Sequence, residues 1–143
     1  MQIVVIDGQG GGIGKNLVER LRAELPETQI VAVGANSIAT SAMLKAGANV
    51  GATGENAVQY NVRTADVVAG PIGILVANAM WGEITPAMAA AVSASPAQKV
   101  LIPVEQCRVH VAGVVEKALS RYIEDAVAVI RSYQSPPPVN PRG

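Results

Sequence analysis

Apolar residues fall in short unbroken runs separated by stretches with helical spacing, and that alternation predicts strands and helices in turn. Ile3, Val4, Val5 and Ile6 form the first run, so a strand is expected over 2–6. Leu17, Val18 and Leu21 then recur at helical spacing, giving a helix over 12–24 that Pro26 and Glu27 end. A second run at 30–33 reads as a strand covered on both faces. Ser37, with Asn36 before it, is an N-cap signal for a helix to about residue 46, and Gly47 stands where a closing glycine is expected. A short strand at 49–50 and a short helix over 53–60 follow, then a strand at 66–69 stopped by Gly70 and Pro71. Thr85 and Pro86 pair a capping hydroxyl with a proline at the first helical position, so a helix is expected from there to 95–96. A strand follows at 99–104. Residues 108–111 alternate polar and apolar, which predicts an antiparallel edge strand with one wet face. The last helix, over 116–132, lines up Leu119, Tyr122, Ile123, Ala126, Val127 and Ile130 on one face.

Strands alternating with helices imply an α/β fold of three layers, Rossmann-like, with a mostly parallel sheet of about five strands and one antiparallel edge strand. Residues 1–133 read as one nucleotide-binding domain, and 134–143 as a proline-rich mobile tail. Half the residues are hydrophobic, yet only 3% are aromatic and none is Phe, so the core must be aliphatic. Eleven basic and eleven acidic residues cancel, which removes the electrostatic reason to expect nucleic acid or an anionic membrane. The start lacks a signal-peptide pattern and the longest apolar run, 72–81, is too short to span a bilayer, so a cytoplasmic location is expected. Read as a helix, 72–81 is apolar all round; such a helix is buried in its own core or against a second copy. A homo-oligomer through 72–81, anchored by Met80 and Trp81, follows from the second option. The lone Cys107 excludes an intrachain disulfide, and the ligands for a metal site are too few. In an extended strand Cys107 and His110 point to opposite faces, which argues against a Cys–His pair and leaves His110 a surface residue.

The candidate chemistry sits where the first strand runs into Gly8, Gln9, Gly10, Gly11, Gly12, Ile13, Gly14 and Lys15, with a helix at once after. Strand, glycine turn and helix N-terminus are the parts of a phosphate site: the backbone approaches closely, and the first amides of the helix lack partners. In an open parallel sheet, ligands lie beyond the carboxyl ends of the strands. Asn36, Ser37, Gly70 and Pro71 are therefore expected around the same cleft, with Thr53, Glu55 and Asn56 beside it. Glu55 is the candidate acid or base and Glu83 a weaker one, although each also reads as a helix-start carboxylate.

Counted from Gly8, the pattern on Gly8, Gly12, Ile13 and Gly14 resembles the cofactor fingerprint of short-chain dehydrogenases, with Asp7 where that family usually has Thr. The resemblance implies that the turn holds the pyrophosphate of NAD or NADP. Its catalytic pair does not carry over, because Tyr60 is followed four residues on by Thr64, Tyr122 by Ala126 and Tyr133 by Pro137, never by lysine. The end of the second strand, Gly34 to Ser37, offers no carboxylate for an NAD ribose and no arginine for an NADP phosphate. Gly11 to Lys15 is also similar to the end of the P-loop in the nitrogenase-iron-protein and ParA-like ATPases, but Asn16 stands where a metal-binding Ser or Thr is needed. Along 1–132 the sequence resembles a small bacterial family known as a domain of unknown function with a Rossmann-like fold. The segments IDGQGGGIGK (6–15), ATSAMLKAGA (39–48), GATGENA (51–57) and GPIGI (70–74) carry that resemblance, which adds no activity. The reading that follows is a domain binding a dinucleotide such as NAD or NADP, with a small oxidoreductase as its catalytic form. The alternative is a non-catalytic nucleotide sensor or assembly subunit acting as a homo-oligomer, with a P-loop-like ATPase third. If the glycines served packing alone, Gly12→Ala would cost stability and change no affinity.

Overall fold

The computed structural model of the chain describes residues 1–104 and 108–134. Five strands, β1 (Gln2–Asp7), β2 (Gln29–Gly34), β3 (Val50–Thr53), β4 (Val67–Pro71) and β5 (Gln98–Ile102), form one sheet in the order β3-β2-β1-β4-β5. Every pairing is parallel, with Ile3 against Ile30 and Val67 at the centre. The helices are α1 (Gly12–Glu24), α2 (Ser37–Ala46), α3 (Glu55–Asn61), α4 (Pro86–Ala94) and α5 (Leu119–Ser132).

The unbroken apolar runs are what two covered faces require. Along β1, Ile3 and Val5 point into one core while Val4 and Ile6 point into the other, all at most 1% exposed. The first core is closed by Leu17, Val18 and Leu21 of α1, Met43 of α2, and Ile123, Val127 and Ile130 of α5. The second is closed by Val58 of α3, Met88 and Val92 of α4, and Ile74 and Ile84 from the connection between β4 and α4. Each such side chain contributes roughly 1.5–3 kcal/mol by leaving water, so an aliphatic core without Phe is sufficient when both faces are filled.

The structure corrects several expectations. No antiparallel edge strand exists at 108–111: Arg108 has a φ of 58°, which no strand accommodates, and 108–118 runs on without ladder bonds to Leu119. His110 is on that exposed stretch, while Cys107 and the tail from 135 lie outside the described residues. The expected strand at 49–50 begins at Val50 and continues to Thr53. The apolar run 72–81 is not a helix either. A short 3-10 turn, Ile72–Leu75, gives way to a loop in which Asn78, Met80 and Trp81 all have positive φ. Gly73, Ile74 and Ala79 are buried within the chain itself, and Trp81 is 97% exposed. Of the two residues named as interface anchors, Met80 is partly buried and Trp81 is exposed. No helix among the described residues is long and apolar enough to cross a membrane.

Candidate functional site

β1 ends on Asp7, whose carboxylate is buried at the head of α1. Oδ1 accepts the amide of Gly8 and Oδ2 the amide of Gly14, each at 2.7 Å. Burial pushes this carboxyl above the usual carboxylate range; the two N–H donors pull it back, and the nearby Glu83 adds to the rise. The chain thus places its own acid group against the helix N-terminus, where the dipole favours an anion. Gly11, at φ 72°, accepts from the amide of Lys15 at 2.8 Å and starts the helix.

The glycines of this turn divide into two kinds. A Cβ on Gly8 would lie 2.7 Å from Met80 Sδ, one on Gly11 2.8 Å from Ala39 Cα, and one on Gly14 2.6 Å from Met43 Sδ. Those three are glycine because neighbours press on them. Gly10 and Gly12 are exposed, have no neighbour within 4 Å of a built Cβ, and do not adopt positive φ. Among the described residues, nothing requires glycine at either. Among the described residues, no side chain or loop carbonyl takes the amides of Gly12 or Ile13.

A bridge crosses the turn from the other side of the sheet. Glu83 accepts the amide of Gln9 through Oε1 at 2.7 Å and the side-chain amide of Asn36 through Oε2 at 2.6 Å. The same Asn36 Nδ2 donates to the Gln9 carbonyl at 2.9 Å, and Asn36 Oδ1 accepts from the Ala39 amide to cap α2. Asn36, not Ser37, is the N-cap; Ser37 is the exposed first residue of the helix. Of the residues expected around the cleft, the structure brings Gln9, Asn36 and Glu83 together, and it adds Asp7, which was not among them. It places others elsewhere: Thr53 meets Thr40 at 2.7 Å, and Glu55 accepts the hydroxyl of Thr85 at 2.5 Å. Lys15 lines a separate shallow groove with Ser37, Ser41 and Lys45. Gly70 is packed, since its Cβ would meet the Ile6 carbonyl oxygen at 2.2 Å.

Beyond the carboxyl ends of β1, β4 and β5 lies a cavity of about 650 Å³, lined by Gln9, by Pro71 and the loop 76–81, and by Val104 and Arg108. The β1 connection leaves toward one face of the sheet and the β4 connection toward the other, so this is the point where strand order reverses. Sequence reasoning missed Arg108, which it placed on a strand, and Asn78, which it placed on a helix. The pairing of Asn78 with Gly82 around Met80 and Trp81 was the available turn signal. Among the described residues, no three His, Cys, Asp or Glu side chains group as a metal site would need.

A family model for a domain of unknown function (DUF3842) matches residues 2–135. No curated protein matches the chain. Among solved structures it is similar to the crystal structure of AibC, at 16% identity over 92% of this chain and 42% of that one, with a TM-score of 0.49. The chain therefore spans less than half of AibC's length. It is also similar to a dodecameric FMN-dependent UbiX-like decarboxylase from Escherichia coli O157:H7, at 13% identity over 100% of this chain and 99% of that one, with a TM-score of 0.44. Likenesses this distant carry no function across.

Proposed function

We propose a function for a chain that belongs to the DUF3842 family, whose description assigns none: it holds a phosphate-bearing nucleotide, a dinucleotide such as NAD or NADP, on the turn between β1 and α1. The observation that carries this reading is the pair of open glycines. Gly10 and Gly12 have no packing or conformational reason to be glycine, and they flank the unclaimed amides at the head of α1. A bare backbone that nothing in the protein fills is what a phosphate needs for close approach. Glu83 supports the dinucleotide form of the reading. The end of β2 carries no carboxylate of its own, and Glu83 brings one there through space by bonding Asn36. That group is of the kind that grips a ribose diol. Bound NAD or NADP would supply hydride chemistry. The chain's own part is to hold phosphate at Gly10 to Ile13 and ribose at Glu83.

A nucleotide sensor or assembly subunit is the second reading, and the Glu83 bridge favours it. A ligand on the turn contacts Gln9, and Gln9 is tied to the loop after β4. Occupancy would reach that loop and its exposed Trp81 without any turnover.

The test is thermal stability with NAD, NADH, NADP, NADPH, ATP or ADP, each with and without magnesium. A ligand at about a hundred times its Kd adds roughly 2.7 kcal/mol, a rise of roughly 5–10 °C for a chain of this size. A dinucleotide shift indifferent to magnesium is expected. Gly12→Ala should keep or slightly raise the basal melting point and abolish the shift, because its Cβ enters open space. No shift with any nucleotide would sink the proposal, and a lower basal melting point for Gly12→Ala would return the glycine to packing. Ligand consumption separates an enzyme from a sensor, whose sedimentation alone would change.

A further inference from the structure

Among the described residues, five that are not glycine have positive φ: Gln9 at 48°, Asn78 at 66°, Met80 at 58°, Trp81 at 59° and Arg108 at 58°. All five line the one cavity of about 650 Å³ at the strand-order reversal. They come from three separate segments, so no single irregular turn explains the coincidence. Side chains with a Cβ disfavour this conformation, and residues held there persist only where the surrounding structure fixes them.

The loop after β4 is fixed in that way. Asn78 donates its amide to the Ile84 carbonyl at 2.6 Å, and Ile84 donates back to Ala79 at 3.2 Å. Gly82 bonds Asn78 and Glu83 bonds Met80, both at 3.1 Å, while Ile84 is sunk in the core. Trp81 thus stands 97% exposed on a tied loop rather than on a loose one. An indole held out of the core at the rim of a cavity offers a flat apolar plane. The cavity is also lined by Arg108, an exposed residue whose guanidinium makes no ion pair among the described residues. Val76, Met80 and Val104 add apolar side chains to its lining.

We propose that this cavity is a binding site for a planar aromatic carboxylate, its ring stacked on Trp81 and its carboxylate paired with Arg108. A guanidinium is a planar fork that matches a carboxylate in two-point contact. Among the described residues no second cation lines the cavity, so one negative charge is balanced and the two of a phosphate monoester are not. The site lies beside the glycine turn and shares only Gln9 with it. It does not rest on the nucleotide reading, and if both hold, the aromatic acid is the second substrate class.

Trp81 is the chain's one tryptophan, so its fluorescence reports this site directly. Benzoate and benzamide are titrated into the full chain while Trp81 emission is followed. Benzoate should quench saturably, with benzamide about tenfold weaker for want of the charge. Arg108→Gln should bring benzoate down to the benzamide level with an unchanged melting point, since the replaced side chain is exposed. Trp81→Leu, followed by calorimetry, should weaken both ligands and keep the preference for the acid. Absence of saturable quenching by benzoate, equal binding of acid and amide, or a preference that survives Arg108→Gln would each overturn the assignment. Benzoate should bind equally well with NAD present. Competition would place both molecules in one site and overturn the separate one, whereas failure of NAD to bind leaves the benzoate result standing.

Discussion

Asp7 is a carboxylate that the fold has buried. Burial raises its folded pKa above the ordinary value, so folding favours its protonated form. The linkage follows in sign: its contribution to stability is complete below the ordinary carboxylate pKa and is lost as pH rises through the folded value. Denaturant midpoints measured upward from about pH 4 should therefore fall with a component that Asp7→Asn removes. The variant should itself lose about 1 kcal/mol, because an amide oxygen accepts only one of the two N–H groups that Asp7 holds. Equal pH slopes in the two proteins would refute this account. That Asp7 is unusual was legible, since an acid closes an otherwise apolar strand at the head of a glycine turn. That it takes Gly14 as well as Gly8 was not, because the bond depends on where α1 begins relative to the end of β1. Glu83 was named as a weak acid candidate, but its bridge to Gln9 and Asn36 joins segments far apart in sequence, and no local pattern encodes it.

α1 is an element whose position depends on missing side chains. Gly14 lets it lie against β1 and α2, where a Cβ would sit 2.6 Å from Met43 Sδ and 2.9 Å from Asp7 Cβ. Gly14→Ala should cost about 1–3 kcal/mol by overpacking, read as a drop in denaturant midpoint. A cost near zero would show that α1 can shift outward. Two positions apart on one helix, Gly12 and Gly14 are thus expected to behave oppositely on substitution. The bounds of α1 were legible in full, as were Pro86 behind its Thr85 cap and the closing Gly47, because turn and cap chemistry is local. The misread elements share a cause. Four alternating residues at 108–111 and ten apolar ones at 72–81 match a strand and a helix by hydropathy alone, but backbone at Arg108, Asn78, Met80 and Trp81 turns left-handed and breaks both. Hydrogen bonds within the loop, such as Asn78 to Ile84, hold that backbone at 78–81.

For the whole molecule, the decisive contact is between the two central strands. Gly70 of β4 lies so close to β1 that a Cβ would meet the Ile6 carbonyl oxygen at 2.2 Å. Backbone cannot swing aside as Met43 can, so Gly70→Ala should cost more than Gly14→Ala, about 3 kcal/mol or more, with the melting point as the measure. A smaller loss than Gly14→Ala gives would mean that the sheet opens there. Alternating elements announced a parallel α/β sheet, but not its order, since nothing local says on which side of β1 the fourth strand settles. That order also has a consequence during synthesis. β1 finds β2, and β2 finds β3, by Thr53, yet the other neighbour of β1 begins only at Val67, and α5, which seals one face, ends at Ser132. A nascent chain emerging from the ribosome therefore has β1 as the bare apolar edge of β1–β3 until β4 follows it out. The strand that ends as the most protected in the protein begins as the one most in need of a chaperone.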